Sequence, residues 1–184
     1  MKLLVCAMEA SSNIHLKELK KYLNNDVELV GVFDKELGNP LYDLTALAIM
    51  GIVDALKKLR FFFKLRDELV DLAKDCDKVL LMDSSGFNLP LAKKLRETYP
   101  NKEIIYYILP QAWAWKKGRV KKLEAYCAKL CSIIPFESEI YNDKNKITYV
   151  GHPLLDEIKD FKQELVNTNK IAFMPGSRKT EITN

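Results

Sequence analysis

Short apolar runs alternate with amphipathic stretches along the chain, a pattern that predicts a parallel β-sheet covered by helices on both faces. The predicted fold class is therefore α/β, a doubly wound parallel sheet. The predicted strands are Lys2–Ala7, Val27–Phe33, Lys78–Asp83, Glu103–Ile108, Lys129–Ile134 and Ile147–Val150. The predicted helices are Ile14–Leu23, Ile52–Leu59, Phe62–Ala73, Leu89–Tyr99, Lys116–Tyr126 and Ser138–Asn142. Ligands of such sheets bind beyond the carboxyl ends of the strands, so chemistry is expected just after each strand.

A polar, charged segment, Asp156–Lys170, follows these elements and indicates a domain boundary. We expect one domain over residues 1–155, a linker over 156–169 and the truncated beginning of a second α/β domain over 170–184. That second domain is expected to begin with a strand, Lys170–Met174, which leads into the loop Pro175–Arg178. The chain length of 184 residues fits one well-cored domain with a remainder.

Composition narrows the class of protein. With 48% hydrophobic and 29% charged residues, the chain is expected to fold. Four cysteines without a CxxC pair and only two histidines argue against a zinc site or a disulfide scaffold, and favour a reduced, cytosolic setting. The apolar start is interrupted by Glu9, which argues against a signal peptide. The longest apolar stretch, Leu44–Val53, is about half of the roughly 20 residues that a spanning helix needs, so any membrane contact is expected to be peripheral.

Two loops that follow predicted strands carry carboxylates. Glu9, followed by Ser11, ends the first strand, where a sugar hydroxyl could be oriented; the alternative is a helix cap in which Ser12 or Asn13 satisfies free amides. No GxGxxG motif is present, which argues against a nicotinamide enzyme. Asp83 ends a central strand and is a candidate general base, or else a residue that bonds the loop amides of Ser85 and Gly86. For Asp83 both interpretations stay open.

Aromatic side chains mark two further candidate surfaces. Trp113 and Trp115, followed by Lys116, Lys117 and Arg119, offer an apolar floor for a sugar or acyl chain and positive charges for a phosphate; packing of one Trp in the core is the alternative. His152, in a Gly-His-Pro turn, is a weaker candidate for ligand contact.

The segment Met50–Arg66 combines apolar residues with cations in its second half, as in a helix that lies in an anionic membrane interface. Three adjacent Phe residues cannot all face one core, because neighbours on a helix are about 100° apart, so at least one is expected to be exposed. The candidate membrane-contact residues are Lys57, Lys58, Arg60, Phe61, Phe62, Phe63 and Lys64. An ordinary surface helix is the alternative.

Taken in order, these motifs resemble the lipid-A-disaccharide synthase family. The matching segments are Glu9–Ser11, Met50–Val53, Asp83 with Phe87-Asn88, Pro110–Trp115, Pro135–Glu137, Gly151-His152 and Pro175–Arg178. The resemblance covers nearly the whole chain. It implies the N-terminal, Rossmann-like domain of a GT-B glycosyltransferase, with no metal and no cofactor.

The resemblance also implies a reaction and its participants. An inverting enzyme joins UDP-2,3-diacylglucosamine to 2,3-diacylglucosamine 1-phosphate, called lipid X, in lipid A biosynthesis. Asp83, supported by Glu9, is expected to activate the acceptor hydroxyl. Acceptor contacts are expected from Ser11, Asn88, Trp113, Trp115 and His152, and UDP-sugar contacts from Gly176, Ser177 and Arg178. The implied location is the anionic cytoplasmic face of the inner membrane, in a peripheral protein that binds no nucleic acid. Whether the protein forms a homodimer stays open.

This sequence also departs from the family pattern. Met8 and Ser12-Asn13 stand where the family's first loop has glycines and an acid, and Ser84-Ser85-Gly86 stands where the family has Ala-Pro-Asp. Because that second carboxylate is missing, we expect a larger catalytic role for Asp83, or a role that Asp83 shares with Glu9. Family chains are about twice as long, so this piece is expected to be inactive alone. Alternatives are another GT-B sugar-nucleotide transferase or epimerase, and a non-catalytic membrane-surface domain.

Overall fold

The predicted sheet and helices are present in the computed structural model, which describes residues 1–43, 55–158, 171 and 173–174. The strands are β1 (Lys2–Ala7), β2 (Glu28–Phe33), β3 (Tyr42–Asp43), β4 (Lys78–Met82), β5 (Glu103–Tyr107), β6 (Lys129–Ser132) and β7 (Ile147–Tyr149). The α-helices are α1 (Ala10–Lys20), α2 (Ala55–Leu72), α3 (Ser85–Thr98), α4 (Gly118–Tyr126) and α5 (Leu154–Ile158). Short 3₁₀ helices lie at Lys35–Leu37, Ala73–Asp75 and Pro135–Ile140.

All seven strands pair in parallel, in the order β3-β2-β1-β4-β5-β6-β7. The chain builds outward from β1 to β3 on one side, then returns to the other side of β1 with β4. The strand order therefore reverses between β1 and β4. In open α/β sheets this switch point opens a crevice at the carboxyl ends of the two strands, which is where ligands bind.

Helices cover both faces of the sheet, because strand side chains alternate between the faces. On one face, Leu4 and Cys6 of β1 belong to the larger core cluster, together with buried residues of α2, α3 and α4. On the other face, Leu3 and Val5 pack in a second cluster with Leu16 of α1. The predicted α/β, Rossmann-like, doubly wound fold is confirmed.

The helix predictions need three corrections. The separate helices Ile52–Leu59 and Phe62–Ala73 are wrong, because α2 is one helix from Ala55 to Leu72 and contains neither Gly nor Pro to interrupt it. Residues 52–54 lie outside the described residues. The predicted helix at Ser138–Asn142 is instead the 3₁₀ helix Pro135–Ile140, with proline at its first position.

Several other boundaries differ from the prediction; helix α1, for example, runs from Ala10 to Lys20 instead of from Ile14 to Leu23. Helix α3 begins at Ser85, four residues before the predicted start at Leu89, and carries Pro90 in its interior. Strand β3 was not predicted, because two residues are too short to show a period of two.

The C-terminal part of the chain is described at three residues. Ile171, Phe173 and Met174 have no regular secondary structure and are exposed, so the strand predicted at Lys170–Met174 is not formed at those residues. A strand exists through pairing with a neighbouring strand, and the described part of the chain shows none beside them. The loop Pro175–Arg178 lies outside the described residues.

Candidate functional site

The loops after β1 and β4 meet at the switch point of the sheet. Glu9 follows β1 and Asp83 follows β4, and these two strands are direct neighbours. The Ser84 hydroxyl donates a hydrogen bond of 2.9 Å to Oε1 of Glu9 and so joins the two loops. The two predicted carboxylates therefore belong to one site.

Asp83 and Ser84 form a left-handed turn, with φ angles of 47° and 39°. Residues other than glycine adopt this conformation at a cost in energy, so surrounding contacts must hold it. Fully buried Asn88 does so, because its amide nitrogen donates to the carbonyl oxygens of Met82 at 2.9 Å and of Asp83 at 3.0 Å. The Tyr106 hydroxyl also donates to the Asp83 carbonyl. We name this feature the Asp83 turn.

The Asp83 carboxyl is half-buried, and its environment makes it more basic than an ordinary aspartate. Burial raises its pKa, the negative charge of Glu9 raises the pKa further, and the backbone amide of Ser84 acts in the opposite direction. A carboxylate with a raised pKa holds a proton more readily, which suits a general base. The amide contribution comes from Ser84, whereas the alternative prediction named the amides of Ser85 and Gly86.

An apolar cavity of about 550 Å³ lies on one side of the Asp83 turn. Glu9 and Ser84 form its polar edge. Its walls are mostly apolar side chains: Met8, Leu59, Phe62, Phe63, Phe87 and Pro90. The rings of Phe62 and Phe87 are 5.8 Å apart, which ties α2 to α3 across the cavity. Arg66 lines this cavity too, but its guanidinium donates two hydrogen bonds to Oδ1 of Asp67, at 3.0 and 2.7 Å.

A second cavity, of about 410 Å³, includes Asp83 itself in its lining. We call it the Trp cavity, because Trp115 forms part of its wall together with Gln111, Arg119 and Glu137. Both Trp113 and Trp115 are exposed, at 36% and 55%, so the alternative that one Trp packs in the core is wrong. Lys116 Nζ and the Arg119 guanidinium lie 4.6 and 5.1 Å from the centre of the Trp115 ring. Such contacts hold cations beside an aromatic wall.

Backbone strain and a buried carboxylate at the Trp cavity were both missed by the sequence reasoning. Ile108 and Lys116, which bound the tryptophan loop, have φ angles of 61° and 57°, and a β-branched residue in this region is a genuine outlier. Glu137 is 2% exposed and accepts a 2.6 Å hydrogen bond from Ser132 Oγ. The Pro135–Glu137 segment of the resemblance was the one available signal for Glu137.

Comparison with known proteins identifies the family. The family model for lipid-A-disaccharide synthetase matches residues 3–184. The chain belongs to the lipid-A-disaccharide synthetase family.

Curated relatives agree with this assignment. The lipid-A-disaccharide synthase of Helicobacter pylori (strain HPAG1) is 53% identical over 180 residues, which are 98% of this chain and 49% of the relative. The synthase of Helicobacter acinonychis (strain Sheeba) is 51% identical over 180 residues, with the same coverage of both chains. That of Campylobacter jejuni (strain RM1221) is 44% identical over 200 residues, covering 97% of this chain and 54% of the relative. The chain spans about half the length of the curated relatives it matches.

The remaining predicted acceptor residues of this lipid-A-disaccharide synthetase family member lie in different surroundings. Ser11 is exposed in the first turn of α1. Asn88 is buried and holds the Asp83 turn, so its contact with an acceptor stays a prediction. His152 lines a third cavity with Leu19 and Tyr22, and no residue of the Asp83 turn lines that cavity. Gly176, Ser177 and Arg178 lie outside the described residues.

The helix cap proposed as an alternative at the first loop is wrong. The α1 N-cap is Glu9, and no side chain bonds the free amides there. Asn13 instead donates to the carbonyls of Ala7 and Glu9, at 2.8 Å each, and accepts from the Asp34 amide at 2.7 Å. Its position one turn into the helix lets the short amide reach back to β1 and across to the end of β2.

At least one of the three adjacent Phe residues of α2 is exposed, as predicted. Phe61 packs edge-on against Tyr42 at 5.6 Å, whereas Phe62 and Phe63 both line the apolar cavity and Phe63 is 49% exposed. Of the other predicted membrane-contact residues, Arg60 and Lys64 are exposed, and the side chains of Lys57 and Lys58 lie outside the described part. Among the described residues, no helix has the length and hydropathy to cross a bilayer.

All four cysteines carry free thiols. Across the described ranges, no three His, Cys, Asp or Glu side chains are grouped so as to hold a metal ion.

Proposed function

We propose that this chain is the acceptor-binding half of an inverting glycosyltransferase that joins UDP-2,3-diacylglucosamine to 2,3-diacylglucosamine 1-phosphate (lipid X). The products are lipid A disaccharide 1-phosphate and UDP. One observation carries the proposal: a half-buried carboxylate stands on a strained turn between an apolar cavity and a cavity lined by Trp and Arg. A sugar that bears acyl chains and a phosphate matches both cavities, because the acyl chains suit the apolar cavity and the phosphate suits the cavity with the arginine.

The proposed chemistry is a single displacement. The acceptor hydroxyl gives its proton to the Asp83 carboxylate while the hydroxyl oxygen forms a bond to the anomeric carbon of the donor sugar. The bond from that carbon to the UDP phosphate oxygen breaks, and its electron pair leaves with UDP. A carboxylate with a raised pKa keeps the accepted proton better than an ordinary aspartate does, which favours the step.

Donor binding falls mainly to residues beyond the described domain. We propose that residues 1–155 form the acceptor domain, that 156–169 form a linker, and that 170–184 begin the UDP-sugar-binding domain. Gly176, Ser177 and Arg178 would then belong to the donor site, with Arg178 balancing the charge of the diphosphate. Because the curated relatives are about twice as long, we expect the 184-residue chain to lack turnover by itself.

We propose that the protein acts at a membrane surface, because both proposed substrates carry fatty acyl chains. Leu59 and Phe63 are 53% and 49% exposed on α2, and the exposed cations Arg60 and Lys64 lie beside them. Exposed apolar side chains flanked by cations favour an anionic bilayer surface. We therefore place the protein at the cytoplasmic face of the inner membrane, as a peripheral protein.

Replacement of the proposed base tests the function. In the full-length protein, meaning this sequence continued to the length of its relatives, Asp83→Asn should lower kcat by about 10²- to 10⁴-fold, because an amide does not accept the proton. Asparagine tolerates the left-handed conformation, so the turn should be kept. The measurement is the rate of disaccharide formation from the two acylated substrates.

Asp71→Asn is the matched control, since Asp71 is exposed on α2 away from the turn. Its rate should equal that of the wild type. If the rate of Asp83→Asn lies within about tenfold of the wild-type rate, another residue is the general base, since general-base contributions are larger than this. Turnover of a non-acylated acceptor by the wild type, without turnover of lipid X, would favour another GT-B transferase.

A further inference from the structure

The described cavities differ in whether the cationic side chains that line them already bind another protein group. Arg66, in the apolar cavity, is bonded to Asp67. Lys78, in the third cavity, pairs with Glu103 at 2.8 Å. Lys20, in a smaller cavity, donates to the Leu37 carbonyl at 2.7 Å. The Arg119 guanidinium forms no ion pair or hydrogen bond with any described residue, although Arg119 lines the Trp cavity. Its five N–H donors are therefore available to a ligand.

The geometry of Arg119 suits recognition of a phosphate. Its guanidinium lies 5.1 Å from the centre of the Trp115 ring, which restrains a side chain that would otherwise be mobile. A guanidinium donates two parallel hydrogen bonds to phosphate oxygens, and a partly immobilised one loses less entropy on binding. Arg119 is half-buried at the beginning of α4, and Lys116 Nζ lies over the same ring at 4.6 Å.

Two carboxylates line the same cavity as Arg119. Glu137 is 2% exposed and is bonded to Ser132 Oγ. Burial raises the pKa of Glu137, and the hydrogen bond from Ser132 acts in the opposite direction. Asp83 is the other carboxylate in the lining, and it is the group proposed to meet the acceptor hydroxyl. A ligand in this cavity therefore lies between a proton acceptor and a cation.

We propose that Arg119 is the residue that selects an acceptor bearing a phosphate monoester. This inference rests on the proposed function, because it takes the molecule at the Asp83 turn to be the acceptor. The phosphate lies in the Trp cavity against Arg119, while the sugar hydroxyl lies at Asp83. The apolar cavity, with its cation already paired to Asp67, is left to apolar groups.

The test compares two acceptors that differ only in the phosphate: 2,3-diacylglucosamine 1-phosphate and 2,3-diacylglucosamine. The measured quantity is the ratio of their kcat/KM values with the full-length protein. In the wild type this ratio should favour the phosphorylated acceptor by about 10- to 100-fold, the usual range for hydrogen bonds to a charged group. Arg119→Gln should bring the ratio close to one, and Arg119→Lys should keep an intermediate preference.

Lys122→Gln is the matched control, because Lys122 is an exposed cation of the same helix that lines none of the described cavities. It should keep the wild-type ratio. An unchanged ratio in Arg119→Gln would overturn the proposal. Equal losses with both acceptors, together with a raised KM for UDP-diacylglucosamine, would also overturn it, because Arg119 would then serve the donor diphosphate.

A binding measurement separates this inference from the proposed reaction. Glucosamine 1-phosphate, but not glucosamine, should raise the Tm of the full-length wild type, and Arg119→Gln should abolish the shift. If the wild type shows this difference but forms no disaccharide, the proposed function fails and the phosphate site stands. If glucosamine 1-phosphate causes no shift in the wild type, or the same shift in Arg119→Gln, the phosphate site is refuted. Circular dichroism of each variant shows whether it is folded.

Discussion

The two cavities beside the Asp83 turn are lined by different residues of the segment 83–86 and differ in chemistry. The apolar cavity, of about 550 Å³, is lined by Phe, Leu, Met and Pro side chains, and its arginine is already paired with an aspartate. The Trp cavity, of about 410 Å³, is lined by Asp83, Gln111 and Arg119, whose guanidinium has no ion-pair partner in the part of the chain that the structure describes. The difference shows that the turn separates an apolar environment from a cationic one. An amphiphile whose reactive hydroxyl lies at the turn satisfies both.

The two cavities are also built from different kinds of structure. Leu59, Phe62, Phe63 and Arg66 are spaced three or four residues apart on α2, so they lie on neighbouring parts of one helix face. The Trp cavity is lined mainly by residues of loops that follow β4, β5 and β6. The apolar cavity thus has a rigid wall, whereas the Trp cavity depends on strained loop conformations such as that of Ile108.

Removal of one ring from the apolar cavity should produce the largest effect in this comparison. Phe62→Ala in the full-length protein should raise the KM for the long-chain acceptor by roughly 10- to 100-fold, because a buried Phe contributes about 1.5–3 kcal/mol. The KM for an acceptor with short acyl chains should rise much less. Steady-state kinetics with both acceptors give the measurement.

Phe61→Ala is the control for this change, because the neighbouring ring packs on Tyr42 and does not line the cavity. It should alter the KM for the long-chain acceptor much less than Phe62→Ala does. Equal effects of the two variants on that KM would mean that the apolar cavity is not where the acyl chain binds.

A smaller effect is expected on the pH dependence of the reaction. The base must be deprotonated, so kcat/KM should fall as the pH drops through the pKa of Asp83, which burial and the charge of Glu9 raise. Glu9→Gln removes that charge but keeps an oxygen that can accept the Ser84 hydrogen bond. The acid limb of the pH–rate profile should therefore move to lower pH.

Glu97→Gln, on the exposed surface of α3, should leave the acid limb where it is in the wild type. An acid limb that stays in place, or moves to higher pH, in Glu9→Gln would show that the Glu9 charge does not act on the base.

The sequence pattern predicted the core of the fold and the loops that follow its strands. It did not predict which residues that are far apart in the sequence lie close together in the structure. Glu9 and Asp83 were identified because they follow apolar runs, whereas their convergence depends on β4 pairing with β1. Helical spacing showed that three adjacent Phe rings must diverge. Which ring is exposed depends on Tyr42 and Phe87, which lie far away in the sequence.

Other features of the site have no local signal in the sequence from which they could be predicted. The left-handed conformation of Ile108 could not be predicted, because nothing in an Ile-Leu-Pro segment marks it. Asn13 was interpreted as a helix cap, but its amide binds the ends of β1 and β2 instead. That arrangement depends on the β1–β2 pairing, which the order of residues along the chain does not reveal.

A structure of the full-length protein with 2,3-diacylglucosamine 1-phosphate bound tests the central claim most directly. The account predicts that the attacking hydroxyl lies within about 3 Å of a carboxylate oxygen of Asp83. A bound acceptor whose attacking hydroxyl lies beyond hydrogen-bond reach of Asp83 and beside a different proton acceptor would contradict the account.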